Sequence, residues 1–132
     1  MQQDTLNKAV NAEFYICSKE MDLDKVIKSM NVPTAKTREK NTFQFDEFAM
    51  DYWSIDTGYE ESDDINTVVY KIKDIVDSKV KEIKMIIDEY HGECGFCIVV
   101  KSDNGDLPAI YFEKEFISLA SDIGASINMD FI

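Results

Sequence analysis

His91 to Val100 reads HGECGFCIVV, and within it Cys94 and Cys97 stand three apart. That spacing admits three readings. A redox C-x-x-C pair cycles between dithiol and disulfide, and it works at a helix N-terminus, where the dipole lowers a thiol pKa. A zinc half-site uses the same spacing and takes its other ligands from elsewhere. Here those would be His91 and the distant Cys17. The third reading is structural, since buried cysteine packs as a small hydrophobe. The pair runs straight into Ile98-Val99-Val100, a β-type run. Side chains three apart on a strand leave from opposite faces, so the two thiols diverge. Gly92 and Gly95 are the residues that would turn one thiol back toward the other. The local sequence favours packing over chemistry.

Other chemistry is thin. His91 is the only histidine. It follows a predicted helix end, where the dipole favours an imidazolium, so a structural role suffices. Five glycines show no phosphate-cradling pattern. Asp51, Asp56, Glu60, Glu61, Asp63 and Asp64 crowd a short span. General acid–base work needs two such groups held at a defined separation, which chain spacing does not set. With Trp53 and Tyr59 among them, these residues form a candidate protein-binding surface, aromatic anchors ringed by charge. A strand tryptophan also reads as core. The short basic run around Arg38, KTREK, reads as a solvated loop. No residue is assigned to catalysis, a cofactor or a metal.

The elements that must hold these residues are legible in part. AEFYIC, residues 12–17, alternates Phe14 and Ile16 with Glu13 and Tyr15, a strand pattern. Leu23, Val26, Ile27 and Met30 then mark a short helix capped by Asp22 or Asp24, and Pro33 stops it. Phe43 to Thr57 reads as one long strand or a bent pair. From Asp63 to Tyr90, apolar residues recur at three and four, which predicts a long amphipathic helix. Ser62 is its expected N-cap, with a kink or break expected near Asp77-Ser78. CGFCIVVKS reads as a strand, Asp103 to Asp106 as a hairpin turn, and LPAIYF as the returning strand. A helix follows with Phe116, Leu119, Ala120 and Ile123 inward and Gly124 at its C-cap. SINMDFI closes as a strand. The order β-α-β-α-β-β-α-β predicts one α+β domain over residues 1–132, with a mainly antiparallel or mixed five-stranded sheet and helices packed on it.

The 132 residues carry 26 acidic against 14 basic side chains, a net charge of −12. That field repels phosphate backbones and anionic membranes, which excludes direct nucleic-acid and membrane-surface binding. It attracts cationic partners and speeds their arrival. The first residues lack a basic start followed by an apolar run, so no signal peptide is read. No apolar stretch approaches the ~20 residues of a membrane span. Three cysteines, few and odd in number, point to a reducing cytoplasm.

FYICSKEMDLDKVIKSMNVPT, YWSIDTGYEES, the long helix and LPAIYFEKEFISLASDIGASINMDFI together resemble the bacterial family called domain of unknown function 4279. The matching positions run from Asp22 to Val26, through Pro33-Thr34, Trp53-Ser54 and Thr57, to Pro108 through Asp130. The Cys94 and Cys97 pair is not part of that pattern. The resemblance implies a compact α+β domain with no established catalytic residues.

Two functional classes follow. One is a non-enzymatic acidic protein-binding domain and, more narrowly, an immunity protein that neutralises a cationic toxin domain. Its expected surface is Asp51, Trp53, Asp56, Tyr59, Glu60, Glu61, Asp63 and Asp64. The other is a metal-dependent or redox enzyme using Cys94, Cys97 and His91. A self-associating structural domain is a third possibility, and either a monomer or a homodimer suits the first.

Overall fold

The computed structural model describes residues 8–40 and 49–132. Six strands and four helices follow in the order β1 (Lys8–Ser18), α1 (Leu23–Met30), β2 (Lys36–Arg38), β3 (Asp51–Asp56), β4 (Glu60–Glu61), α2 (Ile65–Asp77), α3 (Val80–Tyr90), β5 (Glu93–Ser102), α4 (Lys114–Ile123) and β6 (Ser126–Phe131). The strands form one mixed sheet in the order β2-β3-β1-β5-β6, with the two-residue β4 also paired to β1. The expected α+β class holds, with six strands in place of five.

β1 lies at the centre of the sheet, between β3 and β5. Val10, Ala12, Phe14 and Ile16 point one way and are buried. Ala9, Asn11, Glu13 and Tyr15 point the other way and are half-buried. Antiparallel register sets Phe14 against Ile55 on β3 and against Phe96 on β5. The inward set meets buried residues of the helices in a single core. A chain of rings runs through that core, Trp53 to Phe14 to Phe96 to Phe116, with centroids 6.5, 5.1 and 4.7 Å apart. Full burial of each such side chain stabilises the fold by about 1.5–3 kcal/mol.

The long helical pattern is two helices. Ile65, Val68, Val69, Ile72 and Val76 lie buried on α2, and Ile83 continues the stripe on α3. The break falls at Ser78, whose hydroxyl and N–H both donate to the Ile75 carbonyl, satisfying a helix-end acceptor. The first helix starts at Ile65, and its N-cap is Asp64, whose carboxylate accepts from the Asn66 N–H at 2.8 Å. Ser62, the expected cap, bonds the Asp64 backbone instead. α1 is capped by Asp22, one of the two caps its sequence offered. Its outer flank is left open, with Ile27 43% exposed.

Leu107 to Phe112 departs from the expected hairpin. The turn itself forms, with Gly105 at φ 84°. Both edges of β5 are already taken, one by β1 and the other by the parallel β6. Pro108 also lacks the N–H that a ladder needs. The segment therefore leaves the sheet and bonds the start of α2, with Ala109 N–H on Asp63 O at 2.8 Å and Ile65 N–H on Ala109 O at 3.1 Å. It leads into α4, the crossover that a parallel β5–β6 pair requires. Lys36 to Arg38, read as loop, adds an edge strand to β3. Of the predicted Phe43–Thr57 strand, β3 is the observed part, and residues 43–48 lie outside the described residues. Among the described residues no helix is long and apolar enough to cross a membrane.

Candidate functional site

With the helices on one face, the outward positions of the strands make a surface that no described helix covers. Strand alternation places Glu13 and Tyr15 of β1, Lys36 and Arg38 of β2, Tyr52, Ser54 and Asp56 of β3, and Cys97 of β5 on it. β6 adds Asn128, opposite Cys97, and Asp130 two residues on. All of these side chains except Asp56 line a cavity of about 530 Å³, within the range of ligand sites.

Backbone chemistry shapes its floor. Gly95 lies opposite Tyr15 on β1 and Ser126 on β6. A Cβ at Gly95 would lie 2.6 Å from the Tyr15 hydroxyl and 2.5 Å from Ser126 Oγ. Glycine lets the Tyr15 ring lie across β5, where its hydroxyl meets Ser126 Oγ at 3.3 Å. Tyr15 and Tyr52 tilt toward each other with centroids 6.1 Å apart. The Arg38 guanidinium sits 4.5 Å from the Tyr52 ring centroid, a cation–π contact of about 0.5–1 kcal/mol at an exposed site.

The charges on this face are divided. At the β2–β3 end Lys36 pairs with Asp56 at 3.2 Å and Arg38 is stacked. Toward β6, Glu13 and Asp130 form no ion pair among the described residues. Burial, then the neighbouring Asp56 charge, pushes the Glu13 carboxyl above its usual range despite Lys36 and Arg38 nearby. Cys97 is likewise pushed up, first by burial and then by Glu13 and Asp130.

The thiols of the C-x-x-C pair diverge, as strand geometry demands. Cys94 is buried in the core, its Sγ 3.6 Å from the Ile123 carbonyl, and burial pushes its pKa up to about 12. Cys97 opens on the opposite face. Cys17 is buried at the end of β1 and also pushed up, mainly by burial. A thiolate is the reactive and ligating form, and all three environments oppose it. His91 caps α3 in the left-handed conformation at φ 50°. Among the described residues no three His, Cys, Asp or Glu side chains converge as a metal site.

The acidic surface expected between Asp51 and Asp64 does not assemble as one patch. Trp53 is fully buried, a correction to its place on that surface. Asp51 is also buried, where its carboxylate accepts from Met21 N–H at 3.0 Å and from Lys40 N–H at 2.9 Å. It ties the entry of α1 and the exit of β2 to β3. Asp56 accepts from Gly58 N–H and pairs with Lys36, Glu60 pairs with Lys71, and Asp63 pairs with Lys8. Asp64 caps α2 and accepts from the Tyr111 hydroxyl. Tyr59 and Glu61 remain exposed, with Lys101 Nζ 5.4 Å from the Tyr59 ring centroid. The cavity residues were missed because they come from five strands far apart in the chain. Their one sequence signal is outward parity, as in Glu13 and Tyr15 between Phe14 and Ile16.

A family model described as a domain of unknown function, DUF4279, matches residues 8–132. The chain belongs to the DUF4279 family. Nothing among curated proteins matches it, and no solved structure does. As a DUF4279 member it carries the family's extent from the start of β1 to the last residue. Trp53 and Phe116, within segments that carried the resemblance, are core residues of the sheet and α4.

Proposed function

We propose that this DUF4279 domain is a non-enzymatic protein-binding module whose partner docks on the helix-free face of the sheet. One observation carries the reading. Strands and helices bury one face of the sheet in a common core, while the other presents an open cavity with two tyrosines, a stacked arginine and carboxylates that form no ion pair among the described residues. Aromatic and arginine side chains in a recess are the groups that concentrate binding energy at interfaces. The raised thiols add support, since none is poised as a nucleophile.

The net charge of −12 favours a cationic partner. The narrower form of the reading is an immunity protein that occupies the cationic cleft of a toxin domain. Cytoplasmic action suits three cysteines that are all free.

The test is partner capture from lysate of the source strain by the tagged protein, with two variants alongside. Arg38→Ala/Tyr52→Ala removes two cavity groups, and Glu60→Gln/Glu61→Gln alters the acidic loop. A cationic protein that is retained by the loop variant, lost by the cavity variant and released by salt is the expected result. Loss with the loop variant alone would move the interface away from this face.

A further inference from the structure

We propose that the cavity takes an aliphatic cation, a lysine or arginine side chain of the protein partner, seated over Cys97 between Glu13 and Asp130. The inference rests on the reading of this face as the docking surface and adds the chemistry that the partner must supply.

The cavity is bipolar, and only one pole is satisfied. Its cations are engaged by groups of the domain itself, Lys36 by Asp56 and Arg38 by the Tyr52 ring. Its carboxylates, Glu13 and Asp130, have no such partner among the described residues. With Lys36 offset by Asp56, two carboxylates stand against the one charge of Arg38, which a neutral ring does not cancel, so the balance is negative by about one charge. Glu13 is half-buried, and burial disfavours a lone carboxylate, so a cation brought to it gains more than it would in open water, while Asp130 is exposed and adds its charge from the solvent side.

Register supplies the geometry. Glu13 lies directly across from Cys97, Cys97 lies across from Asn128, and Asp130 follows on the same face of β6. Glu13 and Asp130 thus stand two strand spacings apart, roughly 10 Å in the pairing direction. Cys97 floors the gap between them. Both carboxylates act on the Cys97 thiol, which places their fields in the same space. A guanidinium or ammonium above Cys97 is in reach of both sides, and Asn128 adds a polar group there. The Tyr15 ring borders the same space, and long cationic side chains lay their apolar stems along such surfaces.

A bare metal ion fits less well. It needs three or more ligands drawn together, and no such group of His, Cys, Asp or Glu exists among the described residues. The cavity, about 530 Å³, also has room for a whole side chain.

The experiment is an amide NMR titration of the intact domain with Nα-acetyl-arginine methylamide, its lysine counterpart, and the uncharged norleucine analogue. The expected result is saturable shifts centred on Tyr15, Gly95, Cys97 and Asn128 with the cationic probes and none with norleucine. Glu13→Gln/Asp130→Asn should weaken that binding at least tenfold while its spectrum keeps the native dispersion. Absent shifts, shifts centred elsewhere, or binding that survives in the double variant would overturn the proposal. Partner capture separates the two readings. A partner lost with Arg38→Ala/Tyr52→Ala but held fully by Glu13→Gln/Asp130→Asn leaves the docking face standing and sinks the seated cation. A partner held by both variants sinks both.

Discussion

The two faces of this sheet are built from alternate residues of the same strands, yet they obey different physics. Trp53 is fully buried against Phe14, while Tyr52, one residue earlier, stands half-exposed with Arg38 on its ring. Cys94 lies in the core with a pKa near 12, and Cys97, three residues on, floors the open cavity. The inner face is held by dispersion and water exclusion, so it tolerates little change in volume. The outer face mixes rings and charges at the boundary with water, where each contact contributes less and remains available to a partner.

The strongest way to break this comparison is to truncate one aromatic on each face. Trp53→Ala should cost about 3–5 kcal/mol, because its cavity cannot collapse fully. Tyr52→Ala should cost under about 1 kcal/mol, like other substitutions away from a core. Urea unfolding of both variants measures the contrast, and equal losses would mean that the faces are not distinct.

Next in size is the contrast between two carboxylates that the sequence presents as equals. Asp51→Ala leaves the Met21 and Lys40 amides without their acceptor and should cost about 1–3 kcal/mol. Asp63→Asn, whose side chain is 91% exposed in its pair with Lys8, should change stability by no more than about 0.5 kcal/mol. The same unfolding assay checks both, and a costly Asp63→Asn would restore the acidic loop as a structural or binding unit.

The thiols sharpen the contrast within one motif. Iodoacetamide on the native protein should label Cys97 at least about tenfold faster than Cys94, a difference worth ~1.4 kcal/mol. Cys17 should follow Cys94, and all three should react alike after unfolding. Peptide mass mapping over time reads the order. Rapid labelling of Cys94 would show that the inner face opens locally.

The smallest effect concerns Glu13 and has a definite sign. Its pKa is raised in the folded chain from 4.5, so the fold prefers the neutral acid. Stability associated with this group is full below pH 4.5 and is lost as pH rises through the raised value. Glu13→Gln removes that loss. A slightly higher Tm at pH 7, merging with the parent below pH 4.5, is the expected thermal-shift result. A lower Tm at pH 7 would mean that Glu13 is compensated by a cation within the domain, which would close the open pole of the cavity.

Much of the fold was legible because it is written locally. Phe14 and Ile16 against Glu13 and Tyr15 give a strand with an inside and an outside, and Val68, Val69, Ile72 and Val76 give a helix stripe. Gly124 ends α4 at φ 69° as a C-cap glycine does. The acidic loop misled because composition cannot show who pairs with whom. Asp51, Asp64 and Glu60 are neighbours in sequence, yet they serve a buried turn, a helix cap and a helix lysine. Leu107 to Phe112 misled in the same way, since a good turn and an apolar run promise a hairpin only if the neighbouring strand edge is free.

The sequence by itself determined which residues face inward on β1, α2 and α4, because side-chain period and burial preference belong to each short segment. The tertiary structure alone decided that the edges of β5 go to β1 and β6, that β2 extends the sheet, and that no described helix covers the outer face. Those choices depend on pairings between residues far apart in the chain, whose stability depends on the whole sheet and is carried by no single segment. The gathering of Glu13, Arg38, Tyr52, Cys97 and Asp130 around one cavity follows from those pairings.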